Sequence, residues 1–125
     1  VAWAGDIIQL QADNPAIKFS IPSAGYITSS DNMLIPAKAR HKTNAEKLMD
    51  HYYELPVAAR LAAYINYVCP VDGVAGELAK IDASMASNTL ILPDRVMAAK
   101  SRSFRSLSAE EETAYEEKFA KLIGA

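Results

Sequence analysis

The residue with the clearest chemical demand is Asp31. It lies in the stretch SSDNMLIPAKARHKTNAEKLMDHY (29–52), ahead of a short apolar run, Met33-Leu34-Ile35, that Pro36 closes. A carboxylate at the mouth of a segment that reads as a buried strand is costly unless a cation neutralises it, and that cation belongs either to the protein or to a ligand. Other polar and aromatic residues stand at the ends of segments: Trp3, Tyr26, Ser29, Tyr67, Phe104 and Arg105. Core packing is the ordinary fate of large aromatic side chains. Aromatic walls together with a carboxylate are also what an alkylammonium ligand requires. The carboxylate accepts charge-assisted hydrogen bonds from the ammonium, and ring faces supply cation–π attraction and an apolar wall for methylenes.

Other chemistries find no pattern. His41 and His51 lack metal-ligand spacing and have no acid arranged around them, so they read as surface histidines. Cys69 is the single cysteine. It can form neither an intrachain disulfide nor a thiolate metal cluster, and its apolar neighbours favour a structural thiol. The chain has no Gly-rich phosphate loop, no G-x-S-x-G and no H-E-x-x-H. The expectation is a protein that is not an enzyme and holds neither metal nor cofactor. The glutamates at 110–112 and 116–117 read as partners of a helix dipole and as a solvated face.

The elements that must position these residues follow from spacing. With 125 residues, half of them hydrophobic, and a net charge of −2, the chain is at most one domain with a core and no basic face for nucleic acid. No apolar run reaches the ~20 residues of a membrane span. A helical turn is expected from Gly5-Asp6 to Asp13-Asn14, ended by Pro15. Residues 16–21 alternate as a half-buried strand, and 26–35 read as a second extended segment. Thr43 and Glu46 have capping-box spacing ahead of a helix over 44–54. Pro56 opens a helix over 56–66, with Val57, Leu61, Tyr64, Ile65 and Val68 as its apolar positions, and 66–70 become extended. Short helices are expected over 74–82 and 92–100. Ser108 and Glu111 form a second capping box for an amphipathic helix over 109–123, with an apolar stripe at Tyr115, Phe119, Leu122 and Ile123. Two or three strands do not make a full sheet, so the pattern reads as part of a larger α/β protein.

Four stretches resemble the C-terminal part of extracytoplasmic polyamine-binding proteins, the spermidine/putrescine receptors of ABC importers. AWAG at 2–5 resembles their tryptophan-Asn-Gly element. SDNMLIPAKARHKTNAEKLMDHYYEL resembles their strand-Pro-helix stretch, in which an Asp precedes an apolar triplet and IPA. INYVCPV at 65–71 resembles their Gly-Tyr-x-x-Pro turn, and RSFRSLSAEEETAYEEKFAKL resembles their closing helix. The Asp-to-Pro-to-helix stretch is the most specific of the four. The resemblance implies an α/β, periplasmic-binding-protein-like (type II) two-lobed fold, of which this chain is the C-terminal portion: 1–28 in the second lobe, 29–75 returning to the first, and 76–125 in the second. It further implies a polyamine held in the interlobe cleft and delivered to a permease, with a periplasmic or extracellular, cell-surface-attached location. Residue by residue, Trp3 matches a tryptophan that packs on the ligand's carbon chain, Asp31 the acid that holds an amine, and Tyr67 a cleft tyrosine. Arg105 falls near a position where the family often has Gln. Ser29 stands where the spermidine receptors carry a second tryptophan.

That departure keeps open a receptor of the same fold for another small organic cation or metabolite. A helical protein-interaction module, using the Tyr52-Tyr53 and Tyr115-Phe119 stripes, is the alternative from a different class. If the chain folds alone, homodimerisation or segment exchange is expected, because sheet edges and apolar faces need cover.

Overall fold

The computed structural model describes residues 2–124. Seven helices and two short strands follow one another: α1 (Ala4–Asp13), β1 (Tyr26–Thr28), α2 (Lys42–Tyr53), α3 (Leu55–Ile65), α4 (Ala75–Ile81), α5 (Ala83–Ala86), α6 (Arg95–Ala99), β2 (Ser101–Ser103) and α7 (Ala109–Ile123). Helices take up about half the chain.

The core is built on alanine. Pro56 sits in the first turn of α3, where its missing N–H costs nothing, and Asn66 ends the helix in the left-handed region at φ 58°. Ala58, Ala59 and Ala62 form one buried face, against which Val74, Leu78 and Ile91 pack. Small side chains let α4 approach α3 closely, so Leu78 and Ile91 lose all contact with solvent. The larger apolar residues expected to form the inner stripe of α3 are not inside: Leu61, Tyr64, Ile65 and Val68 are all exposed. A second, smaller cluster joins Ile7 of α1 to Leu90 and Met97, with Tyr26 and Ile21 at its edge, and Ile8 touches both clusters.

β1 and β2 pair in parallel, Tyr26 opposite Ser101 and Thr28 opposite Ser103. Their connection carries α2 to α6. Gly25 makes the pairing possible. Its φ is +99°, and a Cβ there would collide with the Lys100 carbonyl oxygen. The next residue, Tyr26, donates its N–H to that same oxygen at 3.1 Å. Among the described residues no third strand joins this pair.

Several expectations are corrected. Residues 16–21 form no strand. Prolines bracket the segment, no ladder partner faces it, and side chains take its backbone groups instead: Gln11 donates to the Ile17 carbonyl, and Asn14 accepts from the Ala16 N–H. Only 26–28 of the 26–35 segment is a strand, and the apolar triplet expected to be buried is not, since Leu34 is 85% exposed. The Thr43–Glu46 capping box does not form. Helix α2 starts earlier, with Asn44 and Ala45 donating their N–H groups to the His41 carbonyl, and Glu46 pairs instead with Lys42 at 3.4 Å. The Ser108–Glu111 box is present, as its spacing predicts. The helix expected over 92–100 is shorter, because the Asp94 carboxylate caps it by accepting from the Met97 N–H. Strand β2 and helix α5 carried no periodicity long enough to read.

Candidate functional site

The carboxyl ends of two adjacent parallel strands are where open α/β sheets present ligand sites. Here β1 and β2 run out together into a cavity of about 340 Å³, open to solvent and lined by Thr28, Ser29, Ser30, Ser103 and Phe104. Four hydroxyls and one exposed ring make up its wall. The strand pair fixes one of the hydroxyls: Thr28 Oγ1 and Ser101 Oγ share a hydrogen bond of 2.6 Å across the ladder. The Phe104 ring is largely uncovered, at 78% exposure. Asp31 follows Ser30 directly, in an irregular segment where the Asn32 side-chain amide donates to the Ser30 carbonyl at 3.1 Å. Its side chain is exposed, and no cation among the described residues lies within ion-pair distance of it.

A second group gathers at the start of α1. Trp3 is the N-cap residue, 61% exposed, and its carbonyl accepts from the Ile7 N–H at 3.2 Å. The Tyr67 ring lies on the backbone of Gly5, where an added Cβ would sit 2.6 Å from the ring edge. Only glycine lets the phenol approach α1 so closely, and this contact brings Tyr67 to the turn that follows Trp3. Beside Tyr67, the Asn66 side-chain oxygen is buried with no hydrogen-bond donor. Such an acceptor is costly to leave unmet.

Of the residues singled out in the sequence, Ser29 and Phe104 therefore share one cavity wall, Asp31 stands one residue beyond it, and Trp3 and Tyr67 meet around Gly5. Among the described residues no hydrogen bond or common cavity links the two groups. Tyr26 packs at the edge of the smaller core cluster, the ordinary fate of an aromatic. Arg105 is paired within the chain. Its guanidinium donates to both oxygens of Glu111, at 2.9 and 2.6 Å, and to the Ser106 carbonyl. The hydrogen bonds from Arg105, then from the Ser108 N–H, hold Glu111 below the usual carboxylate range, and the same pair raises Arg105. Glu110 is lowered chiefly by the Ser108 hydroxyl, and Asp82 by the Ser84 hydroxyl and N–H.

Sequence reasoning missed Thr28, Ser30, Ser103 and Asn66. The readable signal was a run of small hydroxyl residues at the end of a short apolar stretch, in ITSSD and again in SRSF. The remaining chemical residues stand apart. His51 bonds Glu54 at 3.1 Å, and Cys69 is half-buried against the larger core cluster. Among the described residues no three His, Cys, Asp or Glu side chains gather as a metal site, and no helix is long and apolar enough to cross a membrane. The chain matches no protein-family model, no curated protein and no solved structure.

Proposed function

We propose that this chain is the C-terminal portion of an extracytoplasmic solute-binding protein of an ABC importer, with a two-lobed type II fold, and that it captures polyamines such as putrescine and spermidine for a membrane permease. The observation that carries this reading is an exposed Asp31 carboxylate with no protein cation beside it, one residue from a hydroxyl-lined cavity at the carboxyl ends of two parallel strands. In this reading Asp31 neutralises one ammonium, Ser29 and its neighbours accept hydrogen bonds, and the Phe104 face covers methylenes. Trp3 and Tyr67, which meet around Gly5 outside that cavity, wall the other end of the ligand in this reading once the two lobes close. Arg105 is neutralised by Glu111 and adds little repulsion toward a cation. The location is periplasmic or extracellular, and no covalent chemistry is involved.

Calorimetry with putrescine and spermidine tests it. A charge-assisted hydrogen bond contributes about 1.5–3 kcal/mol, so Asp31→Asn is expected to weaken binding by about ten- to a hundredfold. Unchanged affinity would remove Asp31 from the site.

One observation favours a second reading, a receptor of the same fold for a different small organic cation. The cavity wall carries hydroxyls where an aromatic wall would suit a long methylene chain. A thermal-shift screen across amines, amino acids and sugars separates the two, because a ligand that binds only the native state raises its stability.

A further inference from the structure

The last helix carries a surface with nothing on it. No residue of α7 is buried, and Tyr115, Phe119, Leu122 and Ile123 are 58%, 63%, 84% and 62% exposed along one stripe. Glu112 and Glu116 border that stripe. Residues 109–123 hold five glutamates and two lysines, a net charge of −3. The loop before α2 and the first half of that helix, 38–47, hold Lys38, Arg40, Lys42 and Lys47 against the single Glu46, a net charge of +3. Among the described residues neither Glu112, Glu116 and Glu117 nor Lys38, Arg40 and Lys47 have an ion-pair partner. Immediately beyond the cations, α2 exposes Leu48 and Tyr53 at 55% and 61%. The two surfaces are complementary in charge, and each pairs its charges with apolar side chains.

We propose that two copies of this chain associate reciprocally, the α7 of each lying on the basic loop and α2 of the other. The surface area leaves ample room for this. The chain exposes 9979 Å², whereas a folded monomer of 13.6 kDa exposes about 6,600 Å². A standard specific interface needs only about 800 Å² from each partner. Reciprocal docking uses both surfaces on both copies and closes as a twofold dimer; one-way docking would leave free ends and grow. The proposal does not depend on what Asp31 binds, and it concerns this chain by itself, apart from any further portion of a two-lobed receptor.

A charge swap tests it on the whole chain, with mass read by light scattering across a range of concentrations at low salt. Wild type is expected to form a dimer that salt weakens. Glu112→Lys with Glu116→Lys, and separately Lys38→Glu with Arg40→Glu and Lys47→Glu, are each expected to raise the dimer dissociation constant at least tenfold. Mixing the two variants in equal amounts restores the dimer, since each now offers what the other lacks. If either variant loses its far-UV circular dichroism, Phe119→Ser with Leu122→Ser, both on the exposed stripe, takes its place and is expected to be monomeric. A wild type that stays monomeric at every concentration overturns the proposal and leaves another polypeptide as the occupant of the face. Mass that grows without limit, variants that remain dimeric, or a mixture that stays monomeric also overturns it.

Discussion

The α3–α4 layer and the β1–β2 pair are built on opposite principles. In the first, three alanines and three aliphatic side chains drawn from the stretch 58–91 bury one another, with Ile8 of α1 packed alongside. In the second, two three-residue strands from distant parts of the sequence meet in parallel, with no further strand beside them among the described residues. Parallel sheets are normally covered on both faces. The inner face of the helical layer is therefore closed, while the strand pair and α7 leave surfaces uncovered among the described residues. The residues with chemical potential, Ser29, Asp31 and Phe104, all sit on the incomplete side.

This contrast breaks first in the core. Leu78 is fully buried between α3 and α4. Leu78→Ala is expected to cost about 2–5 kcal/mol, the range for deleting a large aliphatic from a packed site. Leu34→Ala, on a side chain 85% exposed, is expected to stay within about 0.5 kcal/mol. Urea unfolding measures both, and equal effects would mean that the alanine-faced layer is not the stabilising one. The strand pair responds next. Gly25→Ala forces a side chain into a left-handed position and against the Lys100 carbonyl. The expected loss is about 1–3 kcal/mol, and it is expected to appear in amide exchange of Tyr26–Thr28 and Ser101–Ser103 before it appears in α3. Loss of protection in α3 at the same point would make the two regions one cooperative unit.

The same contrast decides what the sequence made legible. Helices α2, α3, α4 and α7 rest on local periodicity and stop signals, and their bounds came out within a few residues of those expected. Capping boxes were readable only where nothing competed. Ser108 and Glu111 close theirs, whereas Glu46 had Lys42 four residues earlier and took that partner instead. Strand β2 was invisible because Ser101-Arg102-Ser103 has no apolar alternation; its pairing is set by Gly25 and by the Thr28–Ser101 hydrogen bond, across a separation that no window of sequence spans. The inward face of α3 was misread because large side chains were expected to mark the core. The alanines are inside because α4 needs to come close, and the larger residues on the neighbouring face are left outward. Of the candidate site, Asp31, Ser29, Trp3 and Tyr67 could be named from residue type, yet their grouping depends on Gly5 and Gly25, whose roles emerge only when two segments touch.

The smallest effect concerns how α7 is held, and it sharpens the contrast because α7 relies on polar caps where α3 relies on packing. Glu111 accepts from both guanidinium nitrogens of Arg105 and from the Ser108 N–H at 3.0 Å, and these bonds depress its folded value below the usual 4.5. A carboxylate whose folded value is lowered contributes stability that is complete above its unfolded value and disappears as pH falls through the folded one. Helix α7 is thus expected to keep its first turn from neutral pH down to about 4.5 and to fray below that. Arg105 stays charged throughout, so the transition belongs to the carboxylate. Glu110, which accepts from the Ser108 hydroxyl and is likewise lowered, acts in the same direction, so the comparison has to be made against Glu111→Gln, which keeps the Glu110 contribution and lacks that of Glu111. Amide protection at Glu111 and Glu112, taken relative to the intrinsic exchange rate at each pH from 6 to 3, is expected to fall further in wild type than in Glu111→Gln, where it is already low. Identical profiles in the two proteins would mean that the Arg105–Glu111 pair does not anchor the helix, and that α7 is held by whatever covers its apolar stripe.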